Sequence, residues 1–128
     1  MGAAQIAEME ASVREVYRGV SGPDDPPTCC CTVESVNVAG AEVWIQVMAG
    51  TVNMGYPFAE EPLGLLRGRG VRGPRGMYLV EWAAGEYATF GFEDIPPGEH
   101  AAFVDQLFVK VLGCDDAGYT LRTTFEQL

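Results

Sequence analysis

The stretch GMYLVEWAAGEYATFGFED, residues 76–94, decides the fold class of this 128-residue chain. Two runs rich in aromatic and β-branched residues flank residues 83–86, a short segment with a glycine that suits a tight turn. This pattern predicts an antiparallel hairpin. Because successive side chains of a strand point to opposite faces, the alternation places Tyr78, Val80 and Trp82 together on one face of the first strand.

Further strands are predicted on both sides of this hairpin. Residues 28–48 have the alternation of a second hairpin that turns at residues 39–41. A short third strand follows and ends at Pro57, since proline cannot donate to a sheet ladder. Residues 119–126 alternate again and predict a last strand.

Helical periodicity predicts the remaining elements. Residues 1–20 have apolar side chains spaced by three and four and indicate an amphipathic helix, which a proline-rich loop at residues 21–28 follows. Residues 60–66 predict a short helix, and residues 94–113 a second long one ending at Gly113. The whole chain, residues 1–128, therefore predicts one α+β domain, an antiparallel sheet of five to six strands packed against two long helices and one short helix.

Charge narrows the class of partner. Eighteen acidic and eight basic side chains give a formal net charge of -10. Because proteins hold nucleic acid mainly through Lys and Arg contacts to phosphates, we expect no nucleic-acid partner and favour a basic protein or ligand. The chain has no apolar run near the roughly 20 residues that cross a bilayer, and no secretion signal, so we expect a cytoplasmic protein with no membrane association.

The segment LLRGRGVRGPRG, residues 65–76, concentrates half of the basic side chains: Arg67, Arg69, Arg72 and Arg75. Residues 68–73 have the spacing G-x-G-x-x-G, but a dinucleotide site needs a helix directly afterwards, and here Pro74 introduces a strand. Three interpretations remain open. In order of preference they are a solvated connector, a docking loop for an acidic partner or a twin subunit, and a phosphate cradle.

The side chains that could act as a nucleophile, acid or base form no catalytic motif in the sequence. His100 is the only histidine, and its neighbours Glu99 and a run of alanines offer no nucleophile. The sequence also lacks G-x-S-x-G, H-E-x-x-H and a P-loop. We therefore expect a protein that is not an enzyme and uses no cofactor.

Three of the four cysteines are consecutive, Cys29, Cys30 and Cys31, and Cys114 stands apart. A secreted disulfide framework would spread them along the chain, so we interpret them as reduced thiols, two of them in the core and a third on the opposite face. The alternative is a zinc site that would add His100, Asp115 or Asp116 to Cys29, Cys31 and Cys114. Because no C-x-x-C pair is present, we expect no metal.

Trp44 and Trp82 lie on strands whose alternate positions are also apolar, which indicates a sheet with two apolar faces. Helices can cover one face of such a sheet, and the other needs a second cover. Another subunit or a client polypeptide would supply it.

Size, acidity and order of elements together resemble the small type III secretion chaperones and their tyrosine-rich relatives. The matching stretches are residues 4–20, 41–50, 60–66, 77–94 and 101–113. The last strand and the arginine-rich loop have no counterpart in that family's pattern. The resemblance implies a homodimer that binds an extended segment of a partner by strand addition and hydrophobic patches.

The leading hypothesis is a non-enzymatic protein-binding domain, a chaperone-like adaptor for a specific partner. Two other classes remain open: a small acidic antagonist, either a toxin-immunity protein or a DNA mimic, and a binder or enzyme that grips an anionic ligand with the arginine-rich loop. The expected contact residues are Trp44, Trp82, Arg67, Arg69, Arg72 and Arg75.

Overall fold

The computed structural model describes residues 3–18, 30–93 and 95–126. The elements in chain order are α1 (Ala3–Arg18), β1 (Cys30–Val36), β2 (Glu42–Met48), β3 (Thr51–Gly55), α2 (Pro62–Gly68), β4 (Tyr78–Ala83), β5 (Tyr87–Gly91), α3 (Pro97–Gln106) with a π-helical turn (Leu107–Val111), and β6 (Arg122–Glu126). The predicted proline-rich loop at residues 21–28 lies outside the described residues, as does Cys29.

The six strands form one antiparallel sheet in the order β4-β5-β3-β2-β1-β6. The first three strands are a meander, the β4–β5 hairpin joins it through β5, and β6 adds to the far edge beside β1. With three helices, this confirms the predicted α+β class and its antiparallel sheet. The strand at the end of the chain, predicted from alternation alone, is an edge strand.

The helices bury one face of the sheet. Met9, Val13 and Val16 project from α1 at helical spacing and are almost fully buried, and the two long helices pack against each other. Alternate strand residues meet them in a single core. The strand side chains of that core are Cys31, Val33, Val43, Ile45, Val47, Val52, Met54, Ala88 and Phe90.

A β-bulge in β4 makes one detail of the predicted hairpin wrong. The pairing shifts between Leu79 and Glu81, so that Leu79 lies opposite Phe90 and Trp82 opposite Ala88. The extra residue, Val80, reverses the alternation, and Trp82 consequently faces the helices. Tyr78 and Val80 remain 58% and 54% exposed.

The second long helix also departs from regular α-helix. After Gln106 the chain forms a π-helical turn, in which the Leu112 amide donates to the Leu107 carbonyl at 2.9 Å. Gly113 then takes a positive φ of 81°, which agrees with its predicted role as the helix stop. The wider turn closes the helix directly behind the arginine-rich loop.

Glu61 caps α2. Its carboxylate accepts hydrogen bonds from the amides of Leu63 at 3.1 Å and Gly64 at 2.7 Å, two donors that the first helical turn leaves without a partner.

Among the described residues, no helix is long and apolar enough to cross a bilayer.

Removing this cap should loosen α2 and the loop that follows it. We expect Glu61→Ala to lower the free energy of unfolding by about 1 kcal/mol in urea titrations. Glu60→Ala is the matched control, because Glu60 is also exposed but contributes no side-chain cap, and it should change stability by less than about 0.5 kcal/mol. Equal effects of the two substitutions would contradict the capping role.

Candidate functional site

The sheet face opposite the core carries no helix among the described residues, and we call it the open face. Its side chains come from strand positions that alternate with the core positions, and all but the buried Cys30 are at least partly exposed. The exposed ones are Thr32, Glu34, Val36, Glu42, Trp44, Gln46, Met48, Thr51, Asn53, Tyr78, Glu81, Ala83, Tyr87, Thr89, Arg122 and Thr124.

A row of hydrogen-bonded polar side chains crosses the middle of the open face. The amide of Asn53 donates to Gln46 at 3.1 Å, and the Thr89 hydroxyl donates to Asn53 at 2.8 Å. Glu81 continues the row in register with Thr89, and it accepts a hydrogen bond from Tyr87 that raises the pKa of that phenol. The open face is therefore mixed, where the sequence pattern indicated an apolar one, because its central positions carry amides and hydroxyls.

Aromatic rings flank this row and lie over glycines of the neighbouring strand. The indole of Trp44 covers Gly55, and a Cβ built there would lie 2.6 Å from the indole Nε1. Tyr78 covers Gly91 in the same way, with its ring carbon Cζ 2.6 Å from such a Cβ. Each ring can lie flat only because the residue beneath it has no side chain.

Two clefts of about 180 Å³ each open at one end of the sheet and share Glu42. The cleft that contains Trp44 is also lined by Tyr56, Glu42 and Glu86, and we call it the Trp44 cleft. Both glutamates are exposed, and neither forms an ion pair within the described part of the chain. Carboxylates around an indole suit a Lys or Arg side chain, which gains charge pairing and a cation–π contact.

The two tryptophans predicted as contact residues lie on opposite faces of the sheet. Trp82 is half-buried against the core, where its ring meets Tyr56 edge-on with 6.1 Å between centroids. Trp44 alone of the two belongs to the open face.

The predicted arginines lie on a third surface. Arg69 and Arg72 contact the C-terminal part of α3 and its π-helical turn, through Lys110 and Gln106. The structure thus separates these arginines from Trp44 by placing them on the helix-covered side. The strand that follows residues 68–73 also agrees with rejecting a dinucleotide loop.

His100 is completely buried inside this helix layer. Its Nδ1 lies 2.9 Å from the Tyr17 hydroxyl, and its Nε2 has no hydrogen-bond partner among the described residues. Burial lowers the pKa of His100 to about 4, so the ring is neutral at pH 7. Neither of the two clefts is lined by this histidine, and the side chain acts within the core.

A second buried polar group joins α3 to the segment before β6. The Tyr119 hydroxyl donates to Asp105 at 2.6 Å, which together with burial raises the pKa of the phenol. Burial also raises the pKa of the Cys114 thiol, which lies beside Ser35. A thiol with a raised pKa is a poor nucleophile, so the buried polar side chains around Cys114 suit a structural role better than a catalytic one.

The described cysteines are all buried. Cys31 and Cys114 lie in the core, where the sequence indicated two of the cysteines, while Cys30 occupies the alternate strand position. Within residues 3–18, 30–93 and 95–126, no group of three or more His, Cys, Asp or Glu side chains could hold a metal ion.

Comparison with known proteins found no match for the chain among family models, curated proteins or solved structures. The resemblance to secretion chaperones, and the homodimer it implies, stay predictions.

His100 should make stability depend on pH. In the unfolded chain a histidine binds its proton near pH 6.5, whereas the folded protein resists protonation until about pH 4. The unfolded state binds more protons between these values, so the free energy of unfolding should fall as the pH drops through this window, by about 3 kcal/mol in total.

Two measurements check this. Since the chain has a single histidine, its NMR titration is unambiguous and should have a midpoint near 4. The variant His100→Gln lacks the titrating ring, so its free energy of unfolding should fall less than that of the wild type as the pH drops from about 6.5 to about 4. A midpoint near 6.5 would contradict the buried, neutral ring.

Filling the space under Trp44 should displace its indole. The sequence has two tryptophans, so Trp44 is the single tryptophan in a Trp82→Phe background. In that background, Gly55→Ala should shift the tryptophan emission to longer wavelength because the indole of Trp44 becomes more exposed. Gly68→Ala is the control, since an added Cβ there meets nothing within 4 Å. An unchanged emission spectrum in Gly55→Ala would refute the packing of Trp44 on Gly55.

Proposed function

We propose that this protein is a non-enzymatic polypeptide-binding domain, a chaperone-like adaptor that holds an extended, basic segment of a partner protein on the open face. The observation that carries the proposal is Trp44, a half-exposed ring next to an acidic cleft on a sheet face without a helix among the described residues. Rings of this kind supply much of the affinity at protein interfaces.

We propose that the partner contacts the open face and does not add as a strand to an edge of the sheet. Strand addition needs a regular row of free amides and carbonyls. The bulge at Val80 interrupts that row at the β4 edge, and the other edge strand, β6, has only five residues, Arg122–Glu126. The open face instead offers the Gln46–Asn53–Thr89 row for hydrogen bonds, with aromatic rings on both sides. A segment lying across the face would meet polar and aromatic groups in turn.

Charge favours a basic segment. Glu42 and Glu86 line the Trp44 cleft, and Glu34 and Glu81 lie farther along the same face, where Arg122 opposite Glu34 is a cation. A formal net charge of -10 adds a long-range attraction that raises the rate of encounter with cations. We therefore propose that a Lys or Arg side chain of the partner enters the Trp44 cleft.

The proposed setting is the cytoplasm. Cys114 is a buried, free thiol, as suits a reducing compartment.

A peptide selection tests the proposal. A random 12-residue peptide library displayed on phage is selected on the immobilised protein, and the enriched peptides are synthesised and measured by isothermal titration calorimetry. Enriched sequences should contain Lys or Arg between apolar residues. Trp44→Ala should weaken their binding at least tenfold, and Glu42→Gln with Glu86→Gln should weaken the basic peptides specifically.

Phe125→Ala is the matched control, because Phe125 is an exposed ring at a strand position in register with the core residue Cys31, away from the open face. This variant should bind the selected peptides like the wild type. Failure to enrich any peptide would overturn the proposal. So would a dimer in sedimentation equilibrium that Trp44→Ala converts to monomer, because a second copy would then occupy the face.

A further inference from the structure

Five of the eight basic side chains come from the end of α2, the following loop and the π-helical turn after α3, and hydrogen bonds hold three of these residues, Arg69, Arg72 and Lys110, in one region. The five are Arg67, Arg69, Arg72, Arg75 and Lys110, and we call them the basic patch. All five are exposed, in a protein with eighteen acidic side chains. The proposed function makes no use of them.

The backbone that carries the patch is held in place from two sides. The carboxamide of Gln106 pairs with both backbone groups of Arg72, accepting from its amide at 3.0 Å and donating to its carbonyl at 3.4 Å. One helical turn later, the Lys110 ammonium donates to the Gly70 carbonyl at 3.0 Å. Val71, between these two anchors, is buried in the core. The arginines therefore project from an ordered strip of backbone, which lowers the entropic cost of using them together.

Arg69 and Lys110 are joined through the backbone of each other's segment. The guanidinium of Arg69 donates to the Lys110 backbone carbonyl at 3.3 Å and lies over the ring of Phe58 at 5.0 Å, while the Lys110 ammonium donates to the carbonyl of Gly70, next to Arg69. Stacking on a ring leaves the edges of a guanidinium free for a planar anion. Like charges held at neighbouring positions repel each other, and an anion between them would relieve that repulsion.

No carboxylate neutralises the patch within the described part of the chain. None of its five side chains forms an ion pair there, although the ion pair between Arg14 and Glu10 shows that surface pairs do form. The nearby Glu61 directs both of its carboxylate oxygens to the amides that begin α2. This part of the surface thus carries five cations without an ion pair among the described residues.

We propose that the basic patch binds a short acidic segment of a polypeptide, through carboxylates held by Arg69, Arg72 and Lys110. A guanidinium fork binds a carboxylate with two parallel hydrogen bonds. A long polyanion such as nucleic acid would extend beyond the patch onto acidic surface and be repelled, whereas a segment of a few residues fits within it. This site is separate from the open face and does not depend on the proposed function.

Fluorescence anisotropy with fluorescein-labelled hexaglutamate tests the proposal. The wild type should bind the peptide. Binding should be weaker at about 150 mM salt than at about 20 mM salt, because the higher ionic strength screens exposed charges. The double variant Arg69→Glu with Arg72→Glu should bind at least tenfold more weakly. Arg67→Glu with Arg75→Glu provides a second double variant that leaves the loop's anchoring contacts untouched and should also weaken binding.

The control matches the change in net charge. Arg14→Glu with Arg122→Glu alters the charge by the same amount at exposed sites outside the patch and should keep most of the affinity. Equal losses in this control and in the patch variants would overturn the proposal, as would no binding of hexaglutamate by the wild type. A 20-nucleotide single-stranded DNA that binds as tightly as hexaglutamate would overturn the assignment to an acidic peptide. Trp44→Ala should leave hexaglutamate binding unchanged, which separates this site from the open face.

Discussion

Burial of a single sheet face under α1 and α3 is the constraint on which the rest of the structure depends. The apolar stripes of these helices require apolar residues at every second strand position, and a slip of one residue would turn each of them to the solvent. The register that satisfies the core also fixes what faces outward. Trp44 and the Gln46–Asn53–Thr89 row lie on the open face because Ile45, Met54 and Phe90 lie in the core.

Small features of the backbone then shape the open face. The bulge at Val80 turns Trp82 to the helices and leaves Tyr78 and Val80 exposed at the edge. Gly55 and Gly91 provide flat places on which Trp44 and Tyr78 rest. A mixed face of rings and amides is suited to a polypeptide, because a peptide chain itself alternates apolar side chains with hydrogen-bonding groups.

The charges are divided between two surfaces by the sheet. The Trp44 cleft with its two glutamates lies at one end of the sheet beside the open face, and the basic patch lies against α3 on the helix-covered side. Gln106 and Lys110 hold the basic strip, and they extend from the region where α3 passes into its π-helical turn. Both proposed sites therefore rely on the same helix layer. The basic patch depends on it for an ordered backbone, and the open face depends on it for the register of the sheet's strands.

Periodicity and turn residues in the sequence by themselves determined the α+β class, the two hairpins, the short α2 and the stop at Gly113, because each depends on local preferences of a few neighbouring residues. Only the tertiary structure decided which face each tryptophan takes. Strict alternation places Trp82 with Tyr78, and a bulge that strand pairing creates reverses this. The grouping of Lys110 with four arginines some 40 positions earlier, and the burial of His100, likewise follow from packing between distant segments, which alternation along the chain does not encode.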